Sequence, residues 1–207
     1  SYSGQSEDGL NWKLTHDGTL TISGSGSMTD YELYPDSPFS NAPWGEHYWR
    51  IKKIVISEGV THVGDVAFCH GQSVASVSLP STLISIGWSS FFSCQSLSDI
   101  TIPASVTKIG PEAFFQYSDN GAFHTDIHYK GTAQQWYQAG GNSAYNPQFT
   151  TVYCQGKALS TTSSGQCGDS AFWKLDKTGT LTIYGSGAMY DYPIDDNQDS
   201  TSPWPVG

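Results

Sequence analysis

Three small groups of residues have the types and spacing that chemistry would need. His124, Asp126 and His128 stand two apart, so a strand would place them on one face. Two imidazoles and a carboxylate are donors a transition metal accepts. They are read instead as a polar strand face, because nothing else in the chain has zinc-ligand spacing. Asp195, Asn197 and Asp199 have the spacing of a calcium loop. Such a loop needs Gly where Ser200 stands and a bidentate Glu where Val206 stands, so this run is read as a solvated loop. Cys69, Cys94, Cys154 and Cys167 contain no CxxC pair. Cys154 and Cys167 flank a Ser/Thr/Gly-rich stretch and suit a disulfide in an exported protein. The other reading is four buried thiols packing as small hydrophobes. Ser25 and Ser186 lie in Gly-Ser-Gly, read as a bulge or turn, and no G-x-S-x-G nucleophile motif is present. The chain is therefore expected to be no enzyme and to need no cofactor and no metal.

The elements that carry these groups announce themselves by repetition. Ile54-Val55-Ile56 recurs as Val77-Ser78-Leu79 and Ile100-Thr101-Ile102, each 23 residues on. Gly64, Gly87 and Gly110 keep the same step, as do Phe68, Phe91 and Phe114. A period of 23 lies in the leucine-rich-repeat range of about 20–29 residues. The triplets read as short strands with every second side chain inward. The glycines read as sharp turns. The segments ending at Phe68, Phe91 and Phe114 read as short helical or 3-10 turns on the opposite wall. One unit cannot bury its own apolar face, so units stack, and the phenylalanines are expected to form an internal spine. The period then slips. Ile127-His128-Tyr129 follows after 27 residues, with the extra length in the polar stretch Tyr117–Gly121. Thr151–Cys154 reads as a fifth strand. Between them Thr132 is an N-cap candidate for a short helix that buries Trp136.

A second, longer repeat brackets these units. Trp12-Lys13-Leu14 and Gly18-Thr19-Leu20-Thr21-Ile22 recur 161 residues later as Trp173-Lys174-Leu175 and Gly179-Thr180-Leu181-Thr182-Ile183. Met28, Asp30 and Tyr31 recur as Met189, Asp191 and Tyr192, and Ala42-Pro43-Trp44 as Ser202-Pro203-Trp204 after a one-residue shift. Asp17-Gly18 between alternating apolar segments predicts a hairpin. The expected organisation is a β-hairpin cap over residues 1–50, a leucine-rich-repeat solenoid with terminal helix and strand over 51–158, and a linker with a partial second copy of the cap over 159–207. The chain reads as a mature or excised segment of a longer array.

The repeat resembles the BspA-like leucine-rich repeats of bacterial surface proteins. Ile100-Thr101-Ile102-Pro103 through Val106, Ile109-Gly110 and Ala113-Phe114 is similar to that pattern, and Phe91, Cys94 and Leu97 supply its later positions. Trp12-x-Leu14 with Gly18-Thr19-Leu20-Thr21-Ile22 looks like the unit preceding such repeats, and Tyr129–Trp136 like their terminal segment. Gly71 departs from the pattern, which has Cys there. The resemblance implies a secreted or cell-surface protein that adheres to host or microbial extracellular proteins, and it brings no shared catalytic residues.

Composition narrows the partners. A net charge of −10 repels nucleic acid and anionic membranes, and no apolar run reaches the roughly 20 residues of a membrane span. Charged residues are only 14% of the chain, against about 25% on average, so Ser, Thr, Asn and Gln must cover the surface. If Ile54, Val77, Ile100, Ile127 and Val152 point inward, then Val55, Ser78, Thr101, His128 and Tyr153 point out. Thr101, Asp126, His128, Lys130 and Tyr153 are the candidate binding residues, on the sheet face that solenoids offer to partners. An inert sheet face is the competing reading, which would leave the chain a spacer. Trp12, Tyr31, Tyr34, Phe39, Trp44, Tyr48 and Trp49 suit either a sugar-binding platform or burial over the open end of the solenoid.

Overall fold

The structure, a computed structural model, describes residues 1–34, 39–116, 123–159, 164–175 and 181–190. The polar stretch 117–121, the acidic run 195–199, the Gly179-Thr180 turn, Asp191-Tyr192 and the 202–204 match lie outside the described residues. The chain divides into two compact units, Ser1–Ala158 and Leu159–Gly207. Residues 1–50 and 51–158 thus fall within one unit.

The first unit opens with three antiparallel strands, β1 (Tyr2–Gln5), β2 (Asn11–Leu14) and β3 (Thr19–Ser23). Gly18, at φ +88°, makes the β2–β3 turn that Asp17-Gly18 predicts. After β4 (Gly26–Ser27) and a 3-10 helix over Gly45–Arg50, the chain settles into a solenoid of about four coils with little helix. Its first wall is built from β5 (Lys53–Ile56), β7 (Ser76–Ser78), β9 (Asp99–Ile102), β11 (Thr125–Tyr129) and β12 (Thr150–Cys154). Strand β3 pairs parallel with β5, so the hairpin and the first wall share a sheet. Strands β9, β11 and β12 are parallel, and β13 (Lys157–Ala158) closes their edge antiparallel. The second wall is the parallel set β4, β6 (Val60–Val63), β8 (Ser85–Ile86) and β10 (Lys108–Ile109). Gly26 and Ser27 straddle a register shift against β6, which accounts for the Gly24-Ser25-Gly26 sequence as a bulge.

The third wall differs from its sequence reading. The segments around Phe68, Phe91 and Phe114 are strings of turns, not helix. The cause is backbone chirality. Val66, Ser89 and Glu112 have φ of 45°, 48° and 57°, and His70 and Ser93 have 58° and 55°. A left-handed residue every four positions interrupts any right-handed helix. It also turns N–H groups along the stack. Val66, Phe68 and His70 donate to the carbonyls of Trp88, Ser90 and Phe92, and Ser89, Phe91 and Ser93 donate to those of Pro111, Ala113 and Phe115. Glu112 and Phe114 pass the ladder on to Ser143 and Ala144.

The glycine column is also corrected. Gly64, Gly87 and Gly110 are not at positive φ, so chain reversal does not select them. Close approach does. A Cβ on Gly64 would fall on the Thr29 carbonyl, one on Gly87 would lie 2.6 Å from the Asp65 nitrogen, and one on Gly110 would lie 2.5 Å from the Trp88 nitrogen.

The core sits between the walls. Ile54, Ile100, Ile127 and Val152 are buried, whereas Val77 is only half-buried. The Phe68, Phe91 and Phe114 rings are buried and stack at 5.3 and 5.6 Å. Trp44 extends the column, 5.5 Å from Phe68, with its indole N–H donated to the Ala67 carbonyl at 2.8 Å. At the far end α1 (Ala133–Gln138) is held by a Thr132–Gln135 capping box, and its Trp136 is buried beside Tyr129.

The second unit repeats the opening strands. β14 (Ser164–Gln166), β15 (Ala171–Leu175) and β16 (Leu181–Gly185) are antiparallel. Trp173 pairs with Ile183 and Gly165, as Trp12 pairs with Ile22 and Gly4. Cys167, Ala171 and Trp173 form its small core.

Candidate recognition surface

The candidate residues lie on strands whose inner faces are locked. In β11, Thr125, Ile127 and Tyr129 are buried, so Asp126 and His128 face outward by pleat. The same alternation turns Thr151 and Tyr153 out of β12. Register then brings side chains from different coils together. Thr101, His128 and Tyr153 are Cα partners across β9, β11 and β12, one continuous outward row. Within it the His128 and Tyr153 rings stack at 4.8 Å, tilted by 17°. Asp99, Asp126 and Thr151 form the adjacent row. His124 bridges that row, with Nε2 2.9 Å from the Thr151 hydroxyl and 3.2 Å from the Asp126 carboxylate. Lys130 follows β11 on the same side and is exposed, its amide donating to the Ile102 carbonyl. All five sequence-selected residues therefore belong to one face. Asp99 and the His128–Tyr153 stack were not singled out; the parallel registry that pairs them depends on where the irregular insertion before β11 falls.

His124 reaches both Asp126 and Thr151, while His128 stacks on Tyr153. Among the described residues no group of three or more His, Cys, Asp or Glu is placed to hold a metal.

Of the cysteine readings, the structure has the thiols. All four are free and buried. Cys154 faces inward from β12, and Cys167 packs in its own unit's core. Burial pushes Cys69 and Cys94 up to about 12 and Cys154 up to about 11. Cys94 contacts the Phe68 carbonyl at 3.3 Å, and a Cβ on Gly71, one period earlier, would stand 3.3 Å from that sulfur.

The aromatics of residues 1–50 divide. Trp44 is 2% exposed and serves the core, Phe39 stacks on Tyr48 at 3.7 Å, and Tyr34 and Trp49 remain exposed. On the second wall, His62 bridges two coils through Asp30 at 2.9 Å and Ser85 at 2.7 Å. Burial raises the Asp30 carboxyl, but hydrogen bonds from His62 and the Asp65 amide outweigh it and hold Asp30 below its ordinary value.

Comparison with known proteins agrees on the repeat. Residues 46–130 match the family described as BspA type Leucine rich repeat region, in six copies. A leucine-rich repeat protein of Eubacterium ventriosum, known from its crystal structure, is 23% identical over 80% of this chain and 46% of its own, with a TM-score of 0.47. The chain thus spans under half of that protein. A leucine-rich repeat protein of Bacteroides capillosus is 24% identical over 53% of this chain and 88% of its own, with a TM-score of 0.32. A leucine rich cell surface protein of Faecalibacterium prausnitzii is 13% identical over 87% and 60%, with a TM-score of 0.30. No curated protein matches the sequence. Among the described residues no helix is long and apolar enough to cross a membrane. With its 23-residue coils and this match, the segment 46–130 is a leucine-rich-repeat region of the BspA type.

Proposed function

We propose that this chain is a non-catalytic, exported binding module that recognises an extracellular host or microbial protein through the outward face of β9, β11 and β12. The observation that carries the reading is the His128–Tyr153 stack, set on rigid strands between Asp126 and Lys130. Tyrosine on a preorganised backbone gives contact area at low entropic cost, and flanking charges of both signs give specificity. The antiparallel strands β1–β3, with Trp44 laid on the Phe column, act in this reading as the cap of the first coil. The second unit repeats the three strands of that cap. The place of action is the cell surface or the medium.

The test is capture of the intact chain on immobilised host extracellular-matrix proteins and on whole microbial cells. Tyr153→Ala is expected to weaken capture about tenfold, and Lys130→Ala less, in line with a central aromatic anchor and a peripheral charge. Capture insensitive to Tyr153, His128 and Asp126 would remove this face from consideration. Absence of capture by every surface tried would leave a spacer.

A further inference from the structure

A second face of the first unit has a different chemistry. The β2–β3 turn and the segment leaving the Gly45–Arg50 helix enclose a cleft of about 270 Å³, lined among others by Tyr2, Thr15, His16, Trp49, Arg50 and Lys52. None of the described residues lining it is a carboxylate. That is notable in a chain with 19 acidic and nine basic residues. The acidic group nearest in sequence, Asp17, is turned into its own hairpin and takes hydrogen bonds from Thr15 and Thr19. Among the described residues, no carboxylate lines the cleft beside Arg50 and Lys52.

The cleft has a fixed frame. The Gly18 carbonyl accepts both the Lys52 and Lys53 amides, at 2.8 and 3.1 Å, which ties the cationic segment to the hairpin. The Arg50 guanidinium lies 5.5 Å from the Tyr2 ring centre and 5.9 Å from that of Trp49. Tyr2 is braced by His47 at 3.9 Å. Trp49 is 55% exposed, although burying an indole is strongly favourable.

We infer that this cleft binds an acidic sugar: one pyranose ring carrying a carboxylate. Trp49, more than half exposed, offers apolar surface on which the C–H face of a sugar packs, while Tyr2, held between His47 and Arg50, braces the guanidinium. Arg50 offers the planar fork that matches a carboxylate, and Lys52 adds a donor. At about 270 Å³ the cleft lies just under the range of about 300–1,000 Å³ of drug-sized ligand sites, the size of a single ring rather than an extended peptide. This site is separate from the sheet face proposed above and does not depend on it.

The experiment is titration of the full chain with methyl β-D-glucuronide, followed by amide NMR shifts, with methyl β-D-glucoside and a tetraglutamate peptide as comparisons. The glucuronide is expected to shift the amides of residues 15–18 and 49–52, and to bind more weakly as salt rises. Arg50→Lys, which keeps the charge but not the fork, is expected to weaken binding about tenfold, as is Trp49→Ala. Tyr153→Ala should leave it unchanged, which separates this site from the sheet face. Equal binding of glucoside, equal binding of tetraglutamate, full binding by Arg50→Lys in a folded chain, or shifts that map to β11 and β12 would each overturn the assignment.

Discussion

At the scale of single residues, burial decides what each group can do. Phe91 lies between Phe68 and Phe114 and has no solvent contact, so its truncation leaves a void that two flanking rings hold open. Phe91→Ala is expected to cost about 3–5 kcal/mol, measured by denaturant unfolding; a cost below about 1 kcal/mol would mean that the column is not the core. The thiols test the same interior by charge. Cys94 is pushed up to about 12 because its thiolate would be desolvated. A thiol raised in the fold favours folding below its ordinary value near 9, and that contribution drains away as pH climbs from about 9 toward 12. Native protein at pH 8 should therefore leave Cys94 unmodified by iodoacetamide, while unfolded protein reacts; rapid native labelling would show an open core. Periodicity made the Phe column legible in the sequence; Trp44, outside the 23-residue register, was legible only as one of the aromatics suited to cover the open end, and its seat on Phe68 came with the fold.

At the scale of elements, the inward and outward alternation of the strands was legible because a period of two has only two solutions when one face is buried. The third wall was not. Its turns depend on left-handed Val66, Ser89 and Glu112, residue types that carry no such signal, and Val is poorly suited to that region. The glycine column was legible, but its cause was not, because it lies in the nearby backbone that excludes a side chain. Gly87→Ala would drive a methyl toward the Asp65 amide, so it is expected to destabilise by about 1–3 kcal/mol, as overpacked sites do. Thermal melts would check this. An unchanged melting temperature would mean that the coils can separate freely. Of the candidate surface, the pleat supplied the residues. The registry that stacks His128 on Tyr153 came only with the fold.

At the scale of the whole molecule, the 161-residue repeat sets up an internal control. Ile22 and Ile183 occupy the same place in the same hairpin, yet Ile22 is 0% exposed and Ile183 46%. Met28 and Met189 differ likewise, 2% against 48%. Ile22→Ala is expected to cost about 2–5 kcal/mol and Ile183→Ala well under half of that, by the same unfolding measurement. Equal costs would mean that the second hairpin is covered like the first. The ladder of the third wall has one more consequence, a mechanical one. Its backbone bonds join each coil to the next, parallel to the direction in which coils are stacked. A pull that separates the coils loads these bonds one layer at a time rather than all together, so the solenoid should unzip from an end. Each 23-residue coil would then release roughly 80 Å of slack at about 3.5 Å per residue. A surface molecule made this way would lengthen in steps under shear and absorb the load that a rigid tether passes straight to its bond with the partner.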